Sequence, residues 1–119
     1  MNDPSKQPLH NKSYQFSIAI VRLCQRLVTV NKEYLLSKQV IRSGTAIGAI
    51  LREAGYAFSR QDFIFKLTAS LKEANETIYW LSLLHDTDYI TTEQFEKLRN
   101  DCNGLVSMLV TSIKTAKSK

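Results

Sequence analysis

The chain has 119 residues, of which 44% are hydrophobic and 23% are charged, and its formal net charge is +5. This length suits one domain with one core, and the mean hydropathy of −0.20 is ordinary for a globular protein and excludes a largely disordered chain. Arginines interrupt every apolar run before the roughly 18 residues that a membrane helix needs, so a cytoplasmic protein without membrane contact is expected.

The N-terminal segment contains Pro4 and Pro8 but no apolar block. It predicts a flexible arm over 1–12 rather than a signal peptide, followed by a helical domain over 13–117. The first helix is predicted over about 13–30, because apolar residues recur there at three- and four-residue steps on one face: Phe16, Ile20, Leu23, Leu27 and Val30. More apolar residues widen this stripe and indicate more than one packing neighbour: Ile18, Val21 and Val28.

The second helix is predicted over about 34–58 from another apolar series: Leu36, Val40, Ile47, Ile50, Leu51, Ala54 and Phe58. Its middle contains Gly44 and Gly48, each of which costs about 1 kcal/mol relative to alanine in a helix. Close approach of another helix would compensate for this cost. The alternative is a kink or break near Gly44.

The third and fourth helices are predicted over about 60–85 and 92–116, and both have capping signals. Ser59 with Asp62 marks the start of the third helix, and Thr91 with Gln94 forms a capping-box pattern for the fourth. Heptad-like spacing supplies the apolar faces of these helices: Phe63, Leu67, Ser70, Leu71, Ala74, Ile78, Leu81 and His85, then Phe95, Leu98, Cys102, Leu105, Leu109 and Ser112.

Four helices with short connections and no strand-like alternation predict an all-α fold, an antiparallel up-down-up-down four-helix bundle. A reversal near residue 58 would bring residues whose numbers sum to roughly 118 to the same height. This register pairs Arg42 with Glu76 and Glu53 with Lys66, which are predicted to form interhelical salt bridges. Exposed pairs of this kind stabilise by only about 0 to 1 kcal/mol.

The cysteines, histidines and glutamates of the chain do not occur at the spacings of known metal sites, and the two cysteines form no Cys-x-x-Cys motif. Cys24 and Cys102 lie far apart on apolar faces, so each is predicted to be a buried free thiol. Glu73 and Glu76 lie three residues apart, but the di-metal bundles also need a histidine three positions after a glutamate and glutamates on other helices. No metal and no cofactor are expected.

The amino-acid sequence also contains no recognisable set of catalytic residues. No glycine-rich phosphate loop, Ser-His-Asp set or Cys-His pair can be assembled. Tyr79, Glu76 and Lys72 could formally form an acid/base site, but a solvated helix face is the commoner arrangement. A non-enzymatic protein is expected.

The charge is distributed unevenly. Residues 1–52 hold eight basic and two acidic side chains, residues 53–101 hold five and nine, and three lysines follow. In an up-down bundle, five lysines would collect at one pole: Lys6, Lys12, Lys114, Lys117 and Lys119. Three acidic residues would lie at the other pole: Asp86, Asp88 and Glu93. Such a surface could bind phosphates, pair with itself, or only keep the protein soluble.

The blocks IRSGTAIGAILREA at 41–54 and DFIFKLTASLKEANETIYWLSLLHDTDYI at 62–90 resemble a bacterial four-helix-bundle family. The first members of this family were encoded in intervening sequences of large-subunit ribosomal RNA. The resemblance covers roughly 16–113. Ile50 and Arg52 depart from the family pattern, where asparagine and a small or acidic residue are usual.

The resemblance implies a homopentameric ring of up-down bundles, and it extends to accessory proteins of diversity-generating retroelements, which bind nucleic acid and partner a reverse transcriptase. Some residues match polar family positions (Arg42, Glu53, Lys66, Glu73 and Glu76) and others match packing positions (Gly44, Gly48 and Trp80).

The leading hypothesis is therefore an oligomer that binds RNA or single-stranded DNA through basic residues: Arg22, Arg26, Lys32, Lys38 and Lys117. The alternative is a protein interaction scaffold that binds an unknown protein partner without nucleic acid.

Overall fold

The computed structural model describes residues 7–119, which form four α-helices joined by short turns. These are α1 (Gln7–Thr29), α2 (Leu35–Ala54), α3 (Arg60–Asp86) and α4 (Thr92–Lys117). Each helix packs against its neighbours in an elongated bundle of about 47 × 21 × 19 Å. The predicted all-α four-helix bundle is confirmed. We call the end with the α1–α2 and α3–α4 turns the upper end, and the end with the α2–α3 turn the lower end.

Helix α1 begins at Gln7, six residues earlier than predicted. The predicted flexible arm over 1–12 is therefore wrong for 7–12, and the domain does not start at residue 13; residues 1–6 lie outside the described part of the chain. Pro8 fits in the first helical turn, where an amide N–H would have no helical partner. Leu9 is only 2% exposed, so burial of its side chain in the lower end of the core favours the longer helix.

Helix α2 ends at Ala54 rather than near residue 58. The N–H groups of Gly55 and Tyr56 close the helix by donating to carbonyls of its last turn, at 3.2 and 2.9 Å. Ser59 then adopts an extended backbone and its Oγ accepts a hydrogen bond from the Asp62 N–H at 3.1 Å. This cap starts α3, so Phe58 lies in a turn and does not continue the apolar stripe of α2.

The two glycines of α2 lie where α1 crosses it, and the helix runs unbroken through both. A Cβ atom at Gly44 would lie 2.9 Å from two carbons of the buried Ile20 side chain. One at Gly48 would lie 3.3 Å from Ser13 Oγ. The predicted alternative of a kink or break near Gly44 is therefore wrong, and the missing side chains let the α1 and α2 backbones approach closely.

Buried hydroxyl groups join α2 to α3. The Thr77 hydroxyl lies 2.9 Å from Ser43 Oγ, and the Ser70 hydroxyl donates to the Ile47 carbonyl at 2.9 Å. Among the described residues, no buried side-chain nitrogen or oxygen lacks a hydrogen-bond partner. Because each hydroxyl needs its partner at one height, these bonds fix the register of the two helices.

Both cysteines are buried free thiols in the core. Burial raises the pKa of Cys24 to about 11 and that of Cys102 to about 12, with smaller contributions from nearby carboxylates. The thiols lie 3.4 and 3.3 Å from the carbonyl oxygens of Ser37 and Ala74. Both are therefore protonated at neutral pH and inert as nucleophiles.

Within the described helices, no segment is long and apolar enough to cross a membrane.

Candidate nucleic-acid interface

Four of the five predicted basic contacts lie toward the upper end. Arg22 and Arg26 are one turn apart on α1, Lys32 lies in the α1–α2 turn, and Lys38 lies in the first turns of α2. All four side chains are exposed, and none forms an ion pair with a described residue. We call these four residues the upper basic surface.

The fifth predicted contact, Lys117, lies at the opposite end of the molecule, in the last turn of α4. The bundle is 47 Å long, so Lys117 does not share one compact site with the upper basic surface. It belongs instead to a second group at the lower end that also forms no ion pair among the described residues. We call this group the lower basic surface: Arg52, Arg60, Lys114, Lys117 and Lys119.

The other predicted pole residues follow the helix directions. Lys12 lies in the second turn of α1, toward the lower end, whereas Lys6 lies outside the described residues. The three acidic residues lie in or beside the α3–α4 turn at the upper end: Asp86, Asp88 and Glu93. The upper end thus carries basic groups on its α1–α2 side and acidic groups on its α3–α4 side, while the lower end is mainly basic.

Both predicted salt-bridge pairs are in contact across α2 and α3. Lys66 Nζ lies 2.9 Å from Glu53 Oε1. Arg42 binds two carboxylates, with Nη1 at 3.2 Å from Glu73 Oε1 and Nη2 against Glu76 Oε1. Both pairs have the register that the helical hairpin predicts. The three glutamates on this face therefore form their ion pairs within the subunit.

Trp80 completes this polar network. Its indole N–H donates to Glu76 Oε1 at 3.2 Å, and its ring meets Tyr79 edge-on with 5.1 Å between centroids. The Trp80 hydrogen bond, and then the Arg42 guanidinium, lower the pKa of Glu76, while the bond to Glu76 raises the pKa of Arg42. The partly buried Trp80 ring is therefore held in place by a polar contact as well as by packing.

This network predicts a pH-dependent contribution to stability. The pKa of Glu76 is lower in the folded protein than its usual value of 4.5. Its carboxylate therefore stabilises the fold fully at pH values above 4.5, and this stabilisation is lost as the pH falls through the folded pKa. Glu76→Gln should lower the free energy of unfolding by under about 1 kcal/mol at pH 7, because the group is partly exposed. Urea denaturation at pH 7 and about pH 2 measures this difference.

The difference between wild type and Glu76→Gln should disappear at the lower pH. Glu96→Gln is the matched control, because Glu96 is exposed and forms no ion pair with a described residue. An effect of Glu76→Gln that is the same at both pH values would contradict a contribution from the charged carboxylate.

The acid/base alternative finds no support in the geometry. Glu76 is bound to Arg42 and Trp80, and within the described residues no hydrogen bond joins it to Tyr79 or Lys72. In residues 7–119, no group of three or more His, Cys, Asp or Glu side chains lies close enough to hold a metal ion.

Two features were missed by sequence reasoning. Glu33 is only 8% exposed, and its carboxylate accepts hydrogen bonds from three N–H groups at the start of α2. Glu33 lies one residue before the N-cap Tyr34, and glutamate is not among the usual capping residues, so no clear signal for this cap is visible in the sequence. The second feature is a set of exposed aromatic side chains: Tyr56, Phe58 and Phe65. The apolar period assigned Phe58 to the second helix and did not include the other two.

Comparison with known proteins gives a consistent result. The family model of the 23S rRNA-intervening sequence protein matches residues 6–111. A crystal structure of a protein of unknown function from the S23 ribosomal protein family of Bacteroides thetaiotaomicron is 52% identical to the chain, with a TM-score of 0.88. The match covers 89% of this chain and 98% of that one. No curated protein matches.

Proposed function

This chain belongs to the 23S rRNA-intervening sequence protein family, and we propose that it is a non-enzymatic bundle that assembles with copies of itself and binds RNA or DNA through its basic surfaces. The observation that carries this proposal is the imbalance between bound acidic groups and free basic groups on the described surface.

Many acidic side chains already have partners within the subunit. Glu33 caps α2, Glu53 binds Lys66, and two further glutamates share Arg42. By contrast, the upper and lower basic surfaces extend into solvent without a described ion-pair partner. The excess positive charge is therefore available to an external polyanion, and it is unevenly placed on the molecule.

Phosphate binding suits this arrangement. Exposed lysine and arginine side chains bind nucleic-acid phosphates and release condensed counterions, which gives strong salt dependence without base recognition. Arg22 and Arg26 lie on one face of α1, so neighbouring phosphates of one strand could contact both.

Self-association is supported by the outer face of α1. Tyr14, Ile18 and Val21 follow the i, i+4, i+7 pattern there, and with Arg22 they line a shallow surface groove of the isolated subunit. A second subunit packed on Tyr14, Ile18 and Val21, with Arg22 left in solvent at the edge of the contact, would bury apolar area that one bundle leaves in water. The pentamer implied by the family resemblance is the assembly to test.

Native mass spectrometry of protein purified without nuclease tests assembly and ligand together. The expected spectrum shows a pentamer that retains nucleic acid. A monomer at micromolar concentration would contradict the assembly, and it would leave the binding experiment below as a separate test.

Charge reversal tests the binding surface. Arg22→Glu with Arg26→Glu should weaken binding of RNA or single-stranded DNA by about tenfold or more at about 50 mM salt, because two phosphate contacts become repulsive. The matched control is Lys72→Glu with Lys97→Glu, which changes the net charge equally on α3 and α4 and should have a smaller effect. Fluorescence anisotropy at several salt concentrations measures both.

Two results would contradict the proposal. One is the absence of any binding by the wild type at about 50 mM salt, where phosphate contacts are strongest. The other is an equal loss of affinity in both double variants, which would indicate a response to net charge rather than to the upper basic surface.

A protein interaction scaffold without nucleic acid is the alternative. The exposed rings of Phe65 and Tyr79, on the outer face of α3, favour it, since aromatic side chains are enriched at protein interfaces. Capture of the same protein partner from lysate before and after nuclease treatment would support this alternative, provided that Phe65→Ser abolishes the capture.

A further inference from the structure

The most exposed apolar side chains of the described structure lie together in the α2–α3 turn. Phe58 is 98% exposed and Tyr56 is 84% exposed. A large ring in water gains nothing for folding, and exposed apolar groups of this size often mark interaction sites.

The turn that carries these rings is held by hydrogen bonds. The Phe58 N–H donates to Asp62 Oδ2 at 3.1 Å, and the Tyr56 N–H donates to the Glu53 carbonyl at 2.9 Å. The Ser59 hydroxyl in turn caps α3. The two rings therefore extend from an ordered turn, and little backbone freedom would be lost on binding.

Positive charge flanks the rings on both sides. Arg52 lies in the last turn of α2 and Arg60 begins α3, and both are exposed without an ion pair among the described residues. Of the nearest acidic groups in sequence, Glu53 binds Lys66 and Asp62 accepts the Phe58 N–H, and neither forms an ion pair with Arg52 or Arg60. The lysines at the end of α4 add further positive charge at this end.

We propose that the α2–α3 turn binds single-stranded nucleic acid, with bases stacked on Tyr56 and Phe58 and phosphates bound by Arg52 and Arg60. This inference rests on the proposed nucleic-acid function and names its preferred ligand. Aromatic rings within a basic surface are the usual means of binding single strands, because every base has a π face. The Cα atoms of Tyr56 and Phe58 are at most about 7 Å apart, within reach of neighbouring bases.

The same chemistry selects against a duplex. Bases in a duplex are already stacked on each other, so the two rings would have no free π face to cover, and only the arginine–phosphate contacts would remain. The turn should therefore contribute strongly to binding of single strands and weakly to binding of duplexes.

The test compares two probes, fluorescein-labelled (dT)20 and a 20-base-pair duplex. Tyr56→Ala with Phe58→Ala should weaken binding of (dT)20 by about tenfold or more and leave duplex binding nearly unchanged. Tyr89→Ala, an exposed tyrosine in the opposite turn, is the control and should bind both probes like the wild type. In Phe58→Trp, (dT)20 should quench the added tryptophan fluorescence.

The outcomes separate this inference from the proposed function. If the wild type binds neither probe, the proposed function and this inference both fail. If Arg22→Glu with Arg26→Glu weakens binding but the aromatic double variant binds (dT)20 like the wild type, the function stands and this inference is overturned. If the aromatic double variant instead changes the oligomer mass with unchanged binding, the turn contacts a second copy, and the inference is again overturned.

Discussion

Replacing Gly44 with alanine should lower the free energy of unfolding by about 1 to 2 kcal/mol, although the same change stabilises an ordinary exposed helix by about 1 kcal/mol. The added Cβ would lie 2.9 Å from Cγ1 and Cγ2 of Ile20. These atoms belong to a fully buried, β-branched side chain with little freedom to move away. The helices must therefore separate, and packing along the α1–α2 contact is lost.

Gly104 supplies a matched control within the same protein. It lies in α4, and a Cβ atom there would have no described atom within 4 Å. Gly104→Ala should therefore raise the free energy of unfolding by up to about 1 kcal/mol. Urea denaturation followed by circular dichroism measures both variants.

The Ile20→Ala background isolates the predicted clash. If Ile20 causes the loss, Gly44→Ala should be much less harmful in this background, which a double-mutant cycle detects. Stabilisation by both glycine substitutions in the wild-type background would contradict the close approach of α1 and α2.

The helices and their register could be predicted because both depend on local periodicity and short connections. Apolar spacing located all four helices, and the hairpin register placed Glu53 beside Lys66 and Arg42 beside Glu76. These contacts depend on where the chain reverses, and the cap at Ser59 is visible in the sequence. Local sequence signals were therefore sufficient to predict contacts between side chains on consecutive helices.

The helix ends required tertiary information. Leu9 is buried because other helices end beside it, so α1 gains a core contact that the sequence around Pro8 does not show. Phe58 fits the apolar period of α2, but capping of α3 leaves its ring in solvent. Periodicity alone cannot distinguish a buried aromatic side chain from one presented by a turn.

The candidate site was only partly predictable for a related reason. The charge count and the up-down order predicted a pole rich in lysine, but the list of candidate contacts still combined residues from both ends of the bundle. Lys117 was grouped with Arg22 and Arg26, whereas the fold places it with Arg52 and Arg60 at the lower end. Charge composition indicates a class of partner, while the helix directions decide which residues could act together.

Replacing Glu33 with alanine should lower the free energy of unfolding by about 2 to 3 kcal/mol, because three N–H groups at the start of α2 lose their acceptor. The carboxylate oxygens lie 3.2, 3.0 and 2.8 Å from the amides of Leu35, Leu36 and Ser37. Its negative charge also interacts favourably with the positive end of the α2 dipole. A buried acceptor that serves three donors contributes more than a single surface cap.

Two further variants separate the contributions of Glu33. Glu33→Gln keeps one acceptor oxygen but removes the charge, so its loss of stability should be intermediate. Glu93→Ala is the control, because Glu93 lies in the exposed first turn of α4, where Thr91 and Gln94 already form the capping box. Urea denaturation measures stability, and hydrogen exchange at Leu36 and Ser37 reports the cap directly. Equal losses for Glu33→Ala and Glu93→Ala would show that Glu33 acts only as a helix-end charge, since Glu93 offers that charge without the three buried hydrogen bonds.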